Sequence, residues 1–235
     1  MTEHGPITHH GTGNISVGNS GTQTQGHRSP IYAPPETAAS PKSGTPPREA
    51  DAPATPDKTR SVFVVHGRDE QATEAVFELL RTLDLVPLEW ERLVAATGHA
   101  VPFLGDVVHR ATEVAQAALV LLTPDDVVAL HGNLHEAGEP YHETHETCQP
   151  RPNVLIELGM VLAVYPERTI IAQAGAIRPI ADIAGRNFVR VDGSEQALRK
   201  LAERLKVAGC AVDDSGLRRV RLAAFQGWDA YHRQP

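Results

Sequence analysis

Ser61-Val62-Phe63-Val64-Val65-His66-Gly67-Arg68-Asp69-Glu70 decides the fold: an uncharged run that ends abruptly in a polar turn. A continuous apolar run of this length reads as a strand covered on both faces, the kind found inside parallel sheets. Immediately after it, Ala72, Val76, Leu79, Leu80 and Leu83 recur at helical spacing over residues 70–83. Strand, polar break and amphipathic helix together make a βα unit. In alternating α/β folds ligands settle beyond the carboxyl ends of the strands, and residues 66–70 form such an end.

The same pattern repeats downstream. Residues 85–88 predict a short second strand, and residues 89–105 a long connection opened by Trp90 and containing Thr97-Gly98 and Pro102. Residues 104–115 predict a helix, and 117–122 another buried strand closed by Thr123-Pro124-Asp125-Asp126. A polar insertion follows over 127–152, where His131, His135, His142 and His145 interleave with Glu136, Glu139, Glu143 and Glu146. No HExxH spacing occurs there, so it reads as a mobile acidic loop rather than a zinc site, and no metal is expected. Residues 152–165 predict an apolar helix, 168–173 and 187–192 two more strands, and 194–208 an amphipathic helix capped by Ser194 and ended by Gly209. A last helix is predicted over 217–231, carrying Val220, Ala224, Phe225 and Trp228. The outcome is an α/β, flavodoxin-like domain: a parallel sheet of about five strands with helices on both faces. It spans residues 61–210, with a helical extension at 211–235.

Composition limits the remaining possibilities. Nine of the 18 prolines, but only one aromatic residue, Tyr32, fall in residues 1–60. Such a segment cannot bury enough surface to offset ordering entropy, so it predicts a disordered N-terminal segment and Pro-rich linker. Within it, residues 12–25 carry no charge and no proline, and alternate Ile15 and Val17 with small polar residues. They have the makings of a self-assembly segment or of a plain flexible tail. The net charge of −7 falls on the folded part, because residues 1–60 balance five basic against five acidic side chains. An acidic domain is a poor nucleic-acid partner. No apolar run approaches the roughly 20 residues that cross a bilayer. Residues 1–6 lack the basic and apolar parts of a signal peptide, so the location expected is cytoplasmic, with no membrane partner. Cys148 and Cys210 have no CxxC spacing and suggest neither a disulfide framework nor a zinc knuckle.

No GxGxxG, Walker A or GxSxG motif is present, which leaves dinucleotide dehydrogenases, P-loop NTPases and serine hydrolases without support. What stands out instead is Glu157, a lone carboxylate inside Asn153-Val154-Leu155-Ile156-Glu157-Leu158-Gly159-Met160. Pro152 suits a helix start and Asn153 a cap, and the apolar sequence predicts a helix packed on most of its surface. A carboxylate there is either costly and used, or a plain complement to the helix dipole, worth roughly 0.3–1 kcal/mol. Asn153 and Glu157 are four residues apart and share one helix face. Three polar groups of residues, His66 to Asp69, Thr123 to Asp126 and Arg151 to Glu157, are brought by successive strands towards one rim. Asp69, Asp125 and Asp126 also read individually as caps of helices or turns.

Val62-Phe63-Val64-Val65-His66-Gly67-Arg68-Asp69, Leu121-Leu122-Thr123-Pro124-Asp125-Asp126 and Arg151-Pro152-Asn153-Val154-Leu155-Ile156-Glu157-Leu158-Gly159 resemble the TIR-like domain of CAP12- and Pycsar-type antiphage effectors. The resemblance covers residues 61–209. It implies a flavodoxin-like TIR fold that cleaves NAD⁺ at the nicotinamide–ribose bond, with NAD⁺ as substrate and no cofactor. It puts the catalytic glutamate at Glu157, a nucleotide site at His66, Gly67 and Arg68, and a covering loop at residues 93–103. The chemistry is compatible: nicotinamide leaves neutral from a pyridinium cation, so no acid is needed, and one carboxylate can stabilise the oxocarbenium-like ribose. Arg68 or Arg151 suits the pyrophosphate. Asp69, Thr123, Asp125 and Asn153 complete the expected substrate-binding set. Residues 1–60 are too short and polar for the folded sensor of many relatives. Activation is therefore expected through self-association of TIR domains, through residues 12–25, or through a separate sensor or nucleotide signal. Two alternatives are a nucleoside deoxyribosyltransferase-like enzyme and a non-catalytic TIR scaffold that binds a nucleotide.

Overall fold

The alternating apolar runs become a single parallel sheet in the computed structural model, which describes residues 57–235. The expectations for residues 1–56, including the assembly segment at 12–25, lie outside the described residues. The strands are β1 (Ser61–Val65), β2 (Val86–Leu88), β3 (Ala117–Leu122), β4 (Asp126–Val128), β5 (Thr147–Gln149), β6 (Thr169–Ala174) and β7 (Val189–Val191). Five of them pair in parallel in the order β2-β1-β3-β6-β7. Every residue of β1 and β3 is buried, as their unbroken apolar sequences require. The chain leaves β1 towards one edge and returns through β3 towards the other, so a crevice opens where the carboxyl ends of these two strands part.

The helices are α1 (Glu70–Thr82), α2 (Trp90–Thr97), α3 (Leu104–Val114), α4 (Tyr141–Thr144), α5 (Pro152–Val164) and α6 (Glu195–Val207). Alternation along the strands divides the core in two. Val62, Val64, Leu119 and Leu121 face α1 and α6, where Val76, Leu79, Leu80, Leu201 and Leu205 meet them. Phe63, Val65, Ala118 and Val120 face the other way, onto Leu93 of α2, Val107 and Val108 of α3, and Val154, Leu158 and Val161 of α5. At the base of that second layer, the buried Tyr165 hydroxyl donates to Ala111 O at 2.7 Å, with Ala115 O at 3.0 Å. That bond ties the end of α5 to the last turn of α3.

Three stretches differ from their sequence reading. Residues 89–105 are not an unbroken connection: Leu93 is buried and Trp90 tilts against Phe63 with centroids 6.3 Å apart, which anchors α2. The polar insertion is partly ordered by an antiparallel hairpin, β4 on β5, with Val127 opposite the buried Cys148. Among the described residues, no three His, Cys, Asp or Glu side chains converge as a metal cluster. The last helix is replaced by short 3-10 turns, Asp214–Arg219, Leu222–Phe225 and Asp229–Tyr231. Gly227, at φ +70°, adopts the left-handed conformation that breaks a helix there. Phe225 and Trp228 still reach the core under α1 and α6, and the Trp228 indole N–H donates to Ala224 O at 2.7 Å. Among the described residues no helix is long and apolar enough to cross a membrane.

Because Trp228 is fully buried, Trp228→Ala should cost about 3–5 kcal/mol of stability. Urea unfolding followed by circular dichroism will show it as a lower midpoint; a midpoint within experimental scatter of the parent would mean that the C-terminal turns are not part of the cooperative core.

Candidate functional site

The crevice is lined by two backbone segments with opposite tasks. After β1, His66, Gly67 and Arg68 turn the chain over the sheet edge; across from them the first turn of α5 brings Arg151, Pro152 and Asn153. Together these six residues line a cleft of about 400 Å³. On its other side the same loop lines a second hollow with Glu70, Thr73 and Glu74 of α1. The helix starts at the expected Pro152, but its cap lies two residues before the one its sequence suggested. Arg151 is the residue before it, Pro152 takes the first helical position, and Asn153 sits exposed within the first turn rather than capping it.

Helix α5 is less buried than its apolar sequence implies. Only Val154, Leu158 and Val161 are buried, while Ile156 is 56% exposed and Gly159 and Ala163 also face out. Glu157 lies on the flank between these faces, half-buried, one turn beyond Asn153. Burial alone moves its carboxyl up from 4.5 to about 7, and no hydrogen bond or neighbouring cation pulls it back. A carboxylate in this position is poised to ionise near neutrality and to act on positive charge that develops nearby.

Beneath the loop the Asp69 and Asp125 carboxylates are buried, and each accepts from a backbone N–H. The Asp69 side chain caps α1 by accepting from the Ala72 N–H at 3.0 Å. Asp125 accepts from the Arg68 backbone N–H at 3.1 Å. A Cβ on Gly67 would fall 1.8 Å from Asp125 Oδ2, so only glycine lets the loop lie this close. Thr123 is buried below the same point. His66 Nδ1 lies 3.3 Å from Thr73 Oγ1, and the ring meets Phe77 edge-on at 5.7 Å. His66, Gly67, Arg68, Arg151 and Asn153 thus converge on one cleft, Glu157 stands one helical turn beyond Asn153 and is not part of the lining, and Asp69, Thr123 and Asp125 form the floor that supports the loop. None of residues 93–103 lines the cleft, and Phe103, at the end of that stretch, is 83% exposed.

Two pairings escaped sequence reasoning. Asp126 accepts from Arg151 Nη1 at 3.0 Å and so fixes a guanidinium at the cleft edge. Arg233 reaches Asp69 Oδ2 at 3.0 Å and Pro124 O at 3.2 Å. Neither pairing has a local signal, because the partners are 25 and 164 residues apart.

Comparison with known proteins agrees with the fold. Residues 61–193 match the family model described as CAP12/Pycsar effector protein, TIR domain. The chain is also similar to the uncharacterized protein YuaY of Escherichia coli strain K12, 26% identical over 162 residues. That alignment covers 66% of this chain and 48% of YuaY, so the chain spans about half the length of that relative.

The raised Glu157 carboxyl has a thermodynamic consequence. Its folded form binds a proton more tightly than the unfolded chain, so its contribution is favourable below pH 4.5 and is lost as pH rises to about 7. Glu157→Gln should therefore stabilise the protein at pH 8 by on the order of 1 kcal/mol, after discounting for solvent access, or about 2–4 °C in Tm. The gain should vanish at pH 4.5. Thermal melts at the two pH values check this, and an equal effect at both would show that the carboxyl is not desolvated.

Proposed function

We propose that this chain, which belongs to the CAP12/Pycsar effector protein TIR-domain family, hydrolyses NAD⁺ at the bond between nicotinamide and ribose. The observation that carries the proposal is Glu157: a half-buried carboxylate without a partner among the described residues, one helical turn from a cleft rimmed by arginines. Stability does not explain it, since desolvation raises the free energy of its charged form. Charge development does. As the C1′–N bond breaks, its electron pair goes to the nicotinamide nitrogen, which leaves neutral, and positive charge moves onto the ribose. An ionised Glu157 stabilises that cation more strongly than it does the ground state, because water is scarce around it. Water then adds to C1′ and releases a proton, giving ADP-ribose.

Arg151, held by Asp126, and the exposed Arg68 supply positive charge for the pyrophosphate, which lets an acidic domain accept an anionic substrate. Asn153 offers an amide to the ribose hydroxyls from the same cleft. On this reading the protein is an antiphage effector that depletes NAD⁺. The outward stripe of α5, Pro152, Ile156, Gly159 and Ala163, gives it an apolar surface for self-association. Here Ile156→Glu should shift sedimentation of concentrated protein towards monomer; an unaltered distribution would remove this stripe from assembly.

Incubating concentrated protein with NAD⁺ and separating free nicotinamide by chromatography tests the reaction. Glu157→Gln should lower the rate by about 100-fold or more. At pH 8 the variant should also be the more stable protein, so unfolding cannot account for the loss. Nicotinamide release undiminished by Glu157→Gln would exclude this carboxylate from the chemistry. Release from neither protein, with NAD⁺ still bound, would leave a nucleotide-binding TIR scaffold.

A further inference from the structure

Arg233 lies beyond the segment that matches the TIR family, yet its guanidinium pairs with the carboxylates under the cleft loop. The C-terminal turns are fixed to the opposite layer of the molecule, where Trp228 is fully buried and Tyr231 stacks on it with centroids 5.3 Å apart. Two further bonds set their course: the Asp229 N–H meets Gln71 Oε1 of α1 at 3.4 Å, and the Tyr231 hydroxyl donates to Phe225 O at 2.9 Å. From that anchor the chain delivers one guanidinium to the gap between the turns that follow β1 and β3. Nη2 donates to Asp69 Oδ2 at 3.0 Å, and Nη1 donates to Pro124 O at 3.2 Å and stands 3.8 Å from Asp125 Oδ1. The two carboxylates are 5% and 4% exposed, and Arg233 is the side-chain cation paired with both among the described residues.

Each carboxylate passes the constraint on. Asp69 holds the first turn of α1 through the Ala72 N–H. Asp125 holds the cleft loop from below, through the Arg68 N–H and through direct contact with Gly67. Two buried carboxylates beside one loop repel each other, and without the cation that bridges them at least one would turn outward. Asp125 Oδ1 is buried, within ion-pair range of Arg233 but without a hydrogen bond, so the guanidinium is its compensation. We propose that Arg233 is a positioning residue: by bridging Asp69 and Asp125 it locks the His66–Gly67–Arg68 loop in the conformation that lines the cleft, placing control of the site in the C-terminal segment. The consequence for turnover rests on the NAD⁺ reading above; the effect on the loop does not.

The test uses full-length protein with Arg233→Ala and Arg233→Lys. Amide hydrogen exchange over residues 66–73 should quicken by about tenfold or more in Arg233→Ala, while α6 stays within about twofold of the parent. The KM for NAD⁺ should rise about tenfold with kcat within about threefold, since the loop binds and Glu157 is untouched. Lysine keeps the charge but not the two-pronged fork, so it should fold and give intermediate values in both measurements. Loop exchange equal to the parent's in both variants would overturn the proposal. So would loosening of α6 by as much as the loop in Arg233→Lys, which would make Arg233 a general structural tether. Absence of nicotinamide release from the parent itself would defeat the NAD⁺ reading alone, and the exchange measurement would still decide the role of Arg233.

Discussion

Val154, Leu158 and Val161 seat α5 against the sheet face made by Phe63, Val65, Ala118 and Val120, and that seating sets the depth of every polar group the helix carries. The three are spaced for one narrow face, and the Tyr165 hydroxyl pins the end of the helix to α3. With that face inward, Ile156 must point out and Glu157 must lie on the flank, where it is partly dry. Rotate the helix by a third of a turn and the carboxylate would be either fully solvated, with an ordinary acidity, or fully buried and neutral. The intermediate depth keeps it near its ionisation point.

Charge around the site is arranged in two layers. At the surface, Arg68 and Arg151 border the cleft, the second fixed by Asp126. Below, the buried Asp69 and Asp125 shape the loop and are compensated by Arg233. An acidic chain can in this way offer local positive charge to a phosphate-bearing ligand while its own carboxylates serve as scaffold. Gly67 is where the layers touch, and the contact with Asp125 leaves no room for a side chain.

Elements that are buried on both faces, or that carry one long amphipathic stripe, were legible in the sequence. β1 and β3 announced themselves as unbroken apolar runs, and α1 and α6 by helical spacing together with the cap at Asp69 or Ser194. Glu157 was visible because a charge inside an apolar helix is rare, although the exposed stripe at Ile156, Gly159 and Ala163 was not: an apolar side chain does not say whether it meets a core or a partner. The short α2 was hidden because Glu91 and Arg92 interrupt its apolar residues and only Leu93 of its eight is buried. The β4 and β5 strands span only three residues each, too few to show an alternation. Asp126 with Arg151, and Arg233 with Asp69, depend on topology alone, since nothing near either arginine marks it as different from any solvated one.

Direct titration of the Glu157 carboxyl by carbon NMR, set beside the pH dependence of nicotinamide release, tests the central claim most sharply. A carboxyl midpoint at about 7, with kcat/KM rising through the same pH as the group ionises, is the expected result. A midpoint near 4.5, or a rate that ignores the ionisation of this group, would contradict it.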